Sequence, residues 1–168
     1  PSFEQVVLSS QEGAAFLTPR DLDDDGYPEF LLTTLNESCN LLLLECPSRF
    51  PPIAAGGGYV IRRQGGAPTG ELGEWQVERV FDKSAGVDWP NETTLFDADN
   101  DGVDDWVIGA GFIPLNNGSI VWMKGSVGPD GLSFGEPQEL EGQSPYFFHV
   151  AQPADLDGDG YTDFVTSS

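Results

Sequence analysis

One nine-residue acidic pattern occurs three times along the chain and limits the architectures open to it. The copies are Asp21-Leu-Asp23-Asp-Asp25-Gly26-Tyr27-Pro-Glu29, Asp97-Ala-Asp99-Asn-Asp101-Gly102-Val103-Asp-Asp105 and Asp155-Leu-Asp157-Gly-Asp159-Gly160-Tyr161-Thr-Asp163. Each runs into a β-type stretch: Phe30 to Leu35, Trp106 to Gly111 and Phe164 to Thr166. A unit of roughly 60 residues therefore recurs, as in folds built by stacking. Asp and Gly are ordinary turn formers, so one such loop would mean little. Three copies with every acidic position filled need another cause.

The flanking sequence recurs too. Gly57-Gly-Tyr-Val-Ile-Arg-Arg63 corresponds to Gly118-Ser-Ile-Val-Trp-Met-Lys124, a strand entered through glycine. Trp75 to Phe81 corresponds to Phe134 to Leu140, and both correspond to Phe3 to Leu8. Thr18-Pro19-Arg20-Asp21 and Gln152-Pro153-Ala154-Asp155 lead into their loops alike. One unit reads strand, Asp loop, strand, strand, strand. An insertion at 38–55, holding Cys39, Cys46 and a proline-rich run, lengthens the first unit. Sustained 3.6-residue periodicity is absent and Gly, Pro and Asn separate short apolar runs, so the expected fold is all-β with almost no helix.

Carboxylates at positions 1, 3 and 5 aim alternate side chains at one point. Glycine at position 6 permits the sharp turn, the position 7 carbonyl turns inward and the acid at position 9 closes the set. Calcium, a hard cation taking six to eight oxygens in flexible geometry, suits such a loop better than magnesium. The expected ligands are Asp21, Asp23, Asp25, Tyr27 and Glu29; Asp97, Asp99, Asp101, Val103 and Asp105; and Asp155, Asp157, Asp159, Tyr161 and Asp163, for about three Ca2+ in all. An EF-hand is excluded, because position 12 holds Leu32, Ile108 and Thr166 instead of a glutamate, and the flanks are β-type.

These loops, with the Gly128-Pro-Asp-Gly131 turn, the Phe134-Gly135 pair and the run into Phe164-Val165, resemble the FG-GAP/VCBS family of calcium-loop repeats found in integrin-α-like β-propellers. The resemblance covers nearly the whole chain and implies antiparallel four-stranded blades, the Asp loop joining the first two strands of each. Glu29 stands where that family has aspartate, and the 38–55 insertion departs from the pattern. On this basis residues 3–9 are the last strand of a preceding blade, 11–82 and 85–141 are full blades and 145–168 is a half blade.

The balance of 28 acidic against 7 basic residues, net charge -21, repels phosphate backbones and anionic lipid, so nucleic acid is excluded as a partner. With 11% aromatic and 39% apolar residues the chain has the core that acidic disordered chains lack. No apolar stretch is long enough to span a bilayer as a helix, so membrane insertion is not expected. Asn36, Asn91 and Asn117 head glycosylation triplets, which points to secretion. In an oxidising compartment Cys39 and Cys46 would pair, the alternative being two buried thiols. The chain begins at Pro1 and reads as a processed product or a piece of a longer one.

Catalysis finds little support. His149 is the only histidine, no nucleophile or phosphate-loop motif occurs, and Gly109-Ala-Gly111 lacks the third glycine of a dinucleotide loop. The abundant carboxylates are already accounted for by the loops. Trp75, Trp89, Trp106 and Trp122 are expected in the core. The function expected is an extracellular, calcium-rigidified structural or adhesive protein, not an enzyme, whose partner is protein or glycan. A lectin-like module or a fragment of a propeller-type polysaccharide lyase or hydrolase is the alternative. Because closed propellers need about four to eight blades, the half blade calls for a larger assembly. A longer chain or a filament would provide it, Phe3 to Leu8 of one copy completing Tyr161 to Ser168 of another.

Overall fold

The computed structural model describes residues 14–34, 56–64, 75–111, 118–144 and 147–167. Among them the chain is all-β, with a single 3-10 turn at Lys83–Ala85. The first sheet is a meander of β1 (Ala14–Arg20), β2 (Glu29–Thr34), β3 (Gly57–Arg63) and β4 (Trp75–Phe81), every neighbour antiparallel. The second orders β5 (Pro90–Phe96), β6 (Asp105–Ala110), β7 (Gly118–Met123) and β10 (Gln138–Ser144) in the same way. A two-stranded ribbon, β8 (Gly125–Gly128) and β9 (Gly131–Phe134), interrupts it between β7 and β10. The third sheet pairs β11 (Val150–Ala154) with β12 (Asp163–Ser167).

The second sheet is the middle layer. All six residues of β6 are buried, as expected of a strand covered on both faces. Side-chain alternation sends Trp106, Ile108 and Ala110 toward the first sheet, where they meet Leu31, Val60 and Phe81. Trp106 is fully buried, its ring 6.1 Å from that of Phe81 and 5.3 Å from that of Phe134. Truncating a side chain so placed costs about 3–5 kcal/mol. Val107 faces the other way, joining Phe96, Ile120, Trp122 and Ala151 in a second cluster against the third sheet. Gly109 lies where the chain passes over β6, since a Cβ there would stand 2.7 Å from the Phe148 carbonyl.

The first strands of the three sheets lie side by side. Thr93 Oγ1 donates to Thr18 Oγ1 at 2.9 Å between β5 and β1, and the Glu92 N–H donates to the His149 carbonyl at 3.2 Å. Each Asp loop joins the first two strands of its sheet, as the sequence pattern requires.

Three expectations change. Phe134 to Leu140 is not one strand: Phe134 ends β9, and the fourth strand starts at Gln138, after Pro137, which has no N–H for a ladder. His149, in the Tyr146-Phe-Phe-His-Val150 run that reads as a strand, precedes β11 instead. Asn91 is buried, and its Nδ2 donates to the carbonyls of Gly111 (3.1 Å) and Phe148 (3.0 Å). Both amide hydrogens are spent holding the second sheet to the segment before β11, a contact that a glycan on Asn91 would break. Asn36, Asn117, Cys39, Cys46, the 38–55 insertion and the strand at 3–9 lie outside the described residues.

Candidate metal-binding loops

The three loops share one backbone course. Position 6 is left-handed in each, at Gly26 (φ 89°), Gly102 (φ 90°) and Gly160 (φ 86°). Position 4 is left-handed as well, at Asp24 (φ 60°), Asn100 (φ 60°) and Gly158 (φ 79°). Asp, Asn and Gly are the residues that tolerate this conformation at least cost, which explains their interchange there.

Loop N–H groups orient the carboxylates. At position 1, Asp21 accepts from Asp25 N (3.1 Å) and Gly26 N (2.9 Å). Asp97 repeats this with Asp101 N and Gly102 N, whereas Asp155 accepts from Gly158 N, one position earlier, and Gly160 N. At position 5, Asp25, Asp101 and Asp159 accept the N–H of Tyr27, Val103 and Tyr161, fixing position 7. At position 9, Glu29, Asp105 and Asp163 accept the N–H of Leu22, Ala98 and Leu156 near 3 Å, tying the loop's start to its end.

Three clusters result: Asp21, Asp23 and Asp25; Asp97, Asp99 and Asp101; and Asp155, Asp157 and Asp163. In each, one oxygen per residue lies within 4.8 Å of the others. Opposite oxygens around a bound calcium are about 5 Å apart, so the spacing and the all-oxygen donor set fit that ion. Position 9 departs from expectation in two loops. Glu29 and Asp105 are buried and stand outside their clusters as anchors, and the second oxygen of Asp105 accepts the Gly125 N–H at 2.6 Å. In the third loop Asp163 belongs to the cluster and Asp159 does not. Burial, chiefly, pushes the Glu29 carboxyl above its ordinary range, with Asp23, Asp25 and Asp21 adding repulsion and the Leu22 N–H opposing.

Two residues that the acidic pattern does not predict also reach the loops. Arg63 Nη2 pairs with Asp25 Oδ2, and its guanidinium lies 4.9 Å from the centre of the Tyr27 ring. Lys124 Nζ pairs with both Asp99 and Asp101. Bonding to Lys124, and then to the Val103 N–H, holds the Asp101 carboxyl below its usual range, and Asp101 and Asp99 raise the Lys124 ammonium. The signal was in the sequence: Arg63 and Lys124 occupy matching places at the end of the third strand.

A cleft of about 840 Å3 runs between the first loop and the β8–β9 ribbon, lined by Arg62, Gln64, Gln76 and Asp130 among others. The ribbon closes one side, with Leu132 N donating to Leu22 O and Arg62 Nη1 to Asp130 O. No family model, curated protein or solved structure matches the chain. The functional reading therefore rests on the loops.

Proposed function

We propose that the chain is an extracellular calcium-binding structural or adhesive protein whose sheets are propeller-type blades of the FG-GAP/VCBS kind. The observation that carries this reading is the shared loop: three carboxylate clusters, each on the first strand-to-strand connection of its sheet, each with left-handed residues at positions 4 and 6 and a position 9 acid that accepts a backbone N–H from the loop's start. The residues that would hold Ca2+ are the clustered aspartates, with the carbonyls of Tyr27, Val103 and Tyr161 completing the oxygen set. A bound divalent ion would neutralise repulsion among the acids and stiffen the loops. The neighbouring positions of β1, β5 and β11 support a radial arrangement of blades.

An assembly role has its own support. Among the described residues the third sheet has two strands against four in the first and second, with Val165 exposed on it and Tyr161 exposed in its loop. An edge strand with an open ladder is a template for pairing, which fits completion by a longer chain or a second copy. The burial of Trp89 and Trp106 favours a scaffold over a lectin, whose sugar platforms must be exposed. The cysteine pair and the remaining glycosylation triplets support secretion.

Calcium calorimetry tests the reading, with three ions per chain expected and one or none ruling it out. Chelation should lower the melting temperature, because a ligand bound only to the folded state at a hundred times its Kd stabilises by about 2.7 kcal/mol.

A further inference from the structure

In a chain with seven basic residues and 28 acidic ones, two basic side chains among the described residues end inside Asp loops. They come from equivalent places on different sheets, Arg63 closing β3 and Lys124 following β7. Among the described residues no Lys or Arg pairs with the acids of the third loop. The three loops share a backbone and differ in whether a cation is already supplied.

We propose that Lys124 and Arg63 are resident counter-cations of their loops, so that calcium fills the Asp155–Asp163 loop first and enters the other two only against a basic side chain. This rests on the calcium reading of the loops. The physical argument is competition for the same oxygens. Lys124 Nζ occupies Asp99 and Asp101, two of the three clustered acids, whereas in the first loop Arg63 pairs with Asp25. The Lys124 side chain is 46% exposed, so it can swing into water when a divalent ion arrives. The Arg63 side chain is 2% exposed and lies against Tyr27, so it stays in place and the first loop must share Asp25. The resident cations also spare two of the loops the full repulsion of an empty carboxylate cluster. The second loop is thereby a displaceable switch, and the first a site of permanently reduced charge.

Calcium titration of the wild type, Lys124→Ala and Lys124→Arg by calorimetry at low ionic strength tests this, with circular dichroism confirming the fold. The wild type should show one tighter site and two weaker ones, the tighter one lost in Asp155→Asn. Lys124→Ala should tighten one weak site about twofold to fivefold, the scale of an exposed ion pair, and leave the tight site unchanged. Lys124→Arg should match the wild type, and 0.5 M salt should shrink the gain through screening. Arg63→Met, which keeps the packed stem, should tighten the other weak site. Three equal wild-type sites, or sites unmoved by both Lys124→Ala and Arg63→Met, would overturn the proposal while leaving calcium binding intact. No calcium binding in any variant would overturn the reading beneath it as well.

Discussion

The Leu132 N–H donates to the Leu22 carbonyl at 2.8 Å, fastening the β8–β9 ribbon of the second sheet to the first Asp loop. At its other end the ribbon starts at Gly125, whose N–H is held by Asp105 of the second loop. Two loops on different sheets are therefore joined through ten residues of ribbon. Gly131 makes the approach possible: its φ is +89°, and a Cβ there would lie 2.4 Å from the Leu22 carbonyl and 2.8 Å from the Asp23 side chain. Gly131→Ala should destabilise the protein by about 1–3 kcal/mol, through strain at a left-handed position and loss of the clasp. Gly128→Ala, on the same ribbon with only the Gly131 carbonyl nearby at 3.9 Å, should stay within about 0.5 kcal/mol. Denaturant melts of both variants make the comparison, and equal losses would show that the contact is incidental.

Buried Asp105 should matter with or without calcium. It is fully buried and accepts two backbone N–H groups, from Ala98 and Gly125. Asp105→Asn turns one acceptor into a donor facing a donor, leaving a buried group unsatisfied at about 1–3 kcal/mol. The loss should appear equally in chelator and in excess calcium. A loss confined to the calcium-loaded protein would instead make Asp105 a ligand and not an anchor.

Acids at positions 1, 3, 5 and 9 with glycine at 6 were enough to locate all three loops and the strand pairs they join, because backbone turn and carboxylate spacing are local properties. The choice of Asp24, Asn100 and Gly158 at position 4 carried the same kind of local information in less obvious form. What was not legible depends on contacts between sheets. The roles of Glu29 and Asp105 follow from burial under neighbouring strands, which spacing does not report. The ribbon at 125–134 showed only as its Gly-Pro-Asp-Gly turn, since its strands are short and Val127 is exposed. Asn91 looked like a surface glycosylation triplet because the motif is blind to the Gly111 and Phe148 carbonyls that claim its amide.

That burial gives the next prediction. Expressed through a eukaryotic secretory pathway, the protein should carry no glycan at Asn91. Enzymatic deglycosylation converts occupied asparagines to aspartate, so peptide mass spectrometry should find Asn91 unconverted. Asn91→Ala should cost about 1–3 kcal/mol, because it orphans two buried carbonyls. A glycan on Asn91 in folded material would mean that the contact between β5 and the 147–149 segment is wrong.

Glu29 sets a pH dependence in the metal-free protein. Its carboxyl is pushed above the usual range, first by burial, so the folded state holds the proton more tightly than the unfolded chain does. For a group raised on folding, the stabilising contribution is fully present below the unfolded value and is lost as pH rises through the folded one. At neutral pH the ionised Glu29 is therefore a cost in chelated protein. Glu29→Gln removes that cost while its amide oxygen still accepts the Leu22 N–H. With chelator present, Glu29→Gln should melt above the wild type at pH 7, and the gap should close as pH falls toward 4. In excess calcium the advantage should narrow or reverse, because the first loop loses a negative charge that favours the ion. Thermal melts at four pH values in chelator and in calcium would check both arms. A chelated Glu29→Gln that melts below the wild type at pH 7 would show that the ionised carboxylate stabilises the fold and that burial is not what governs it.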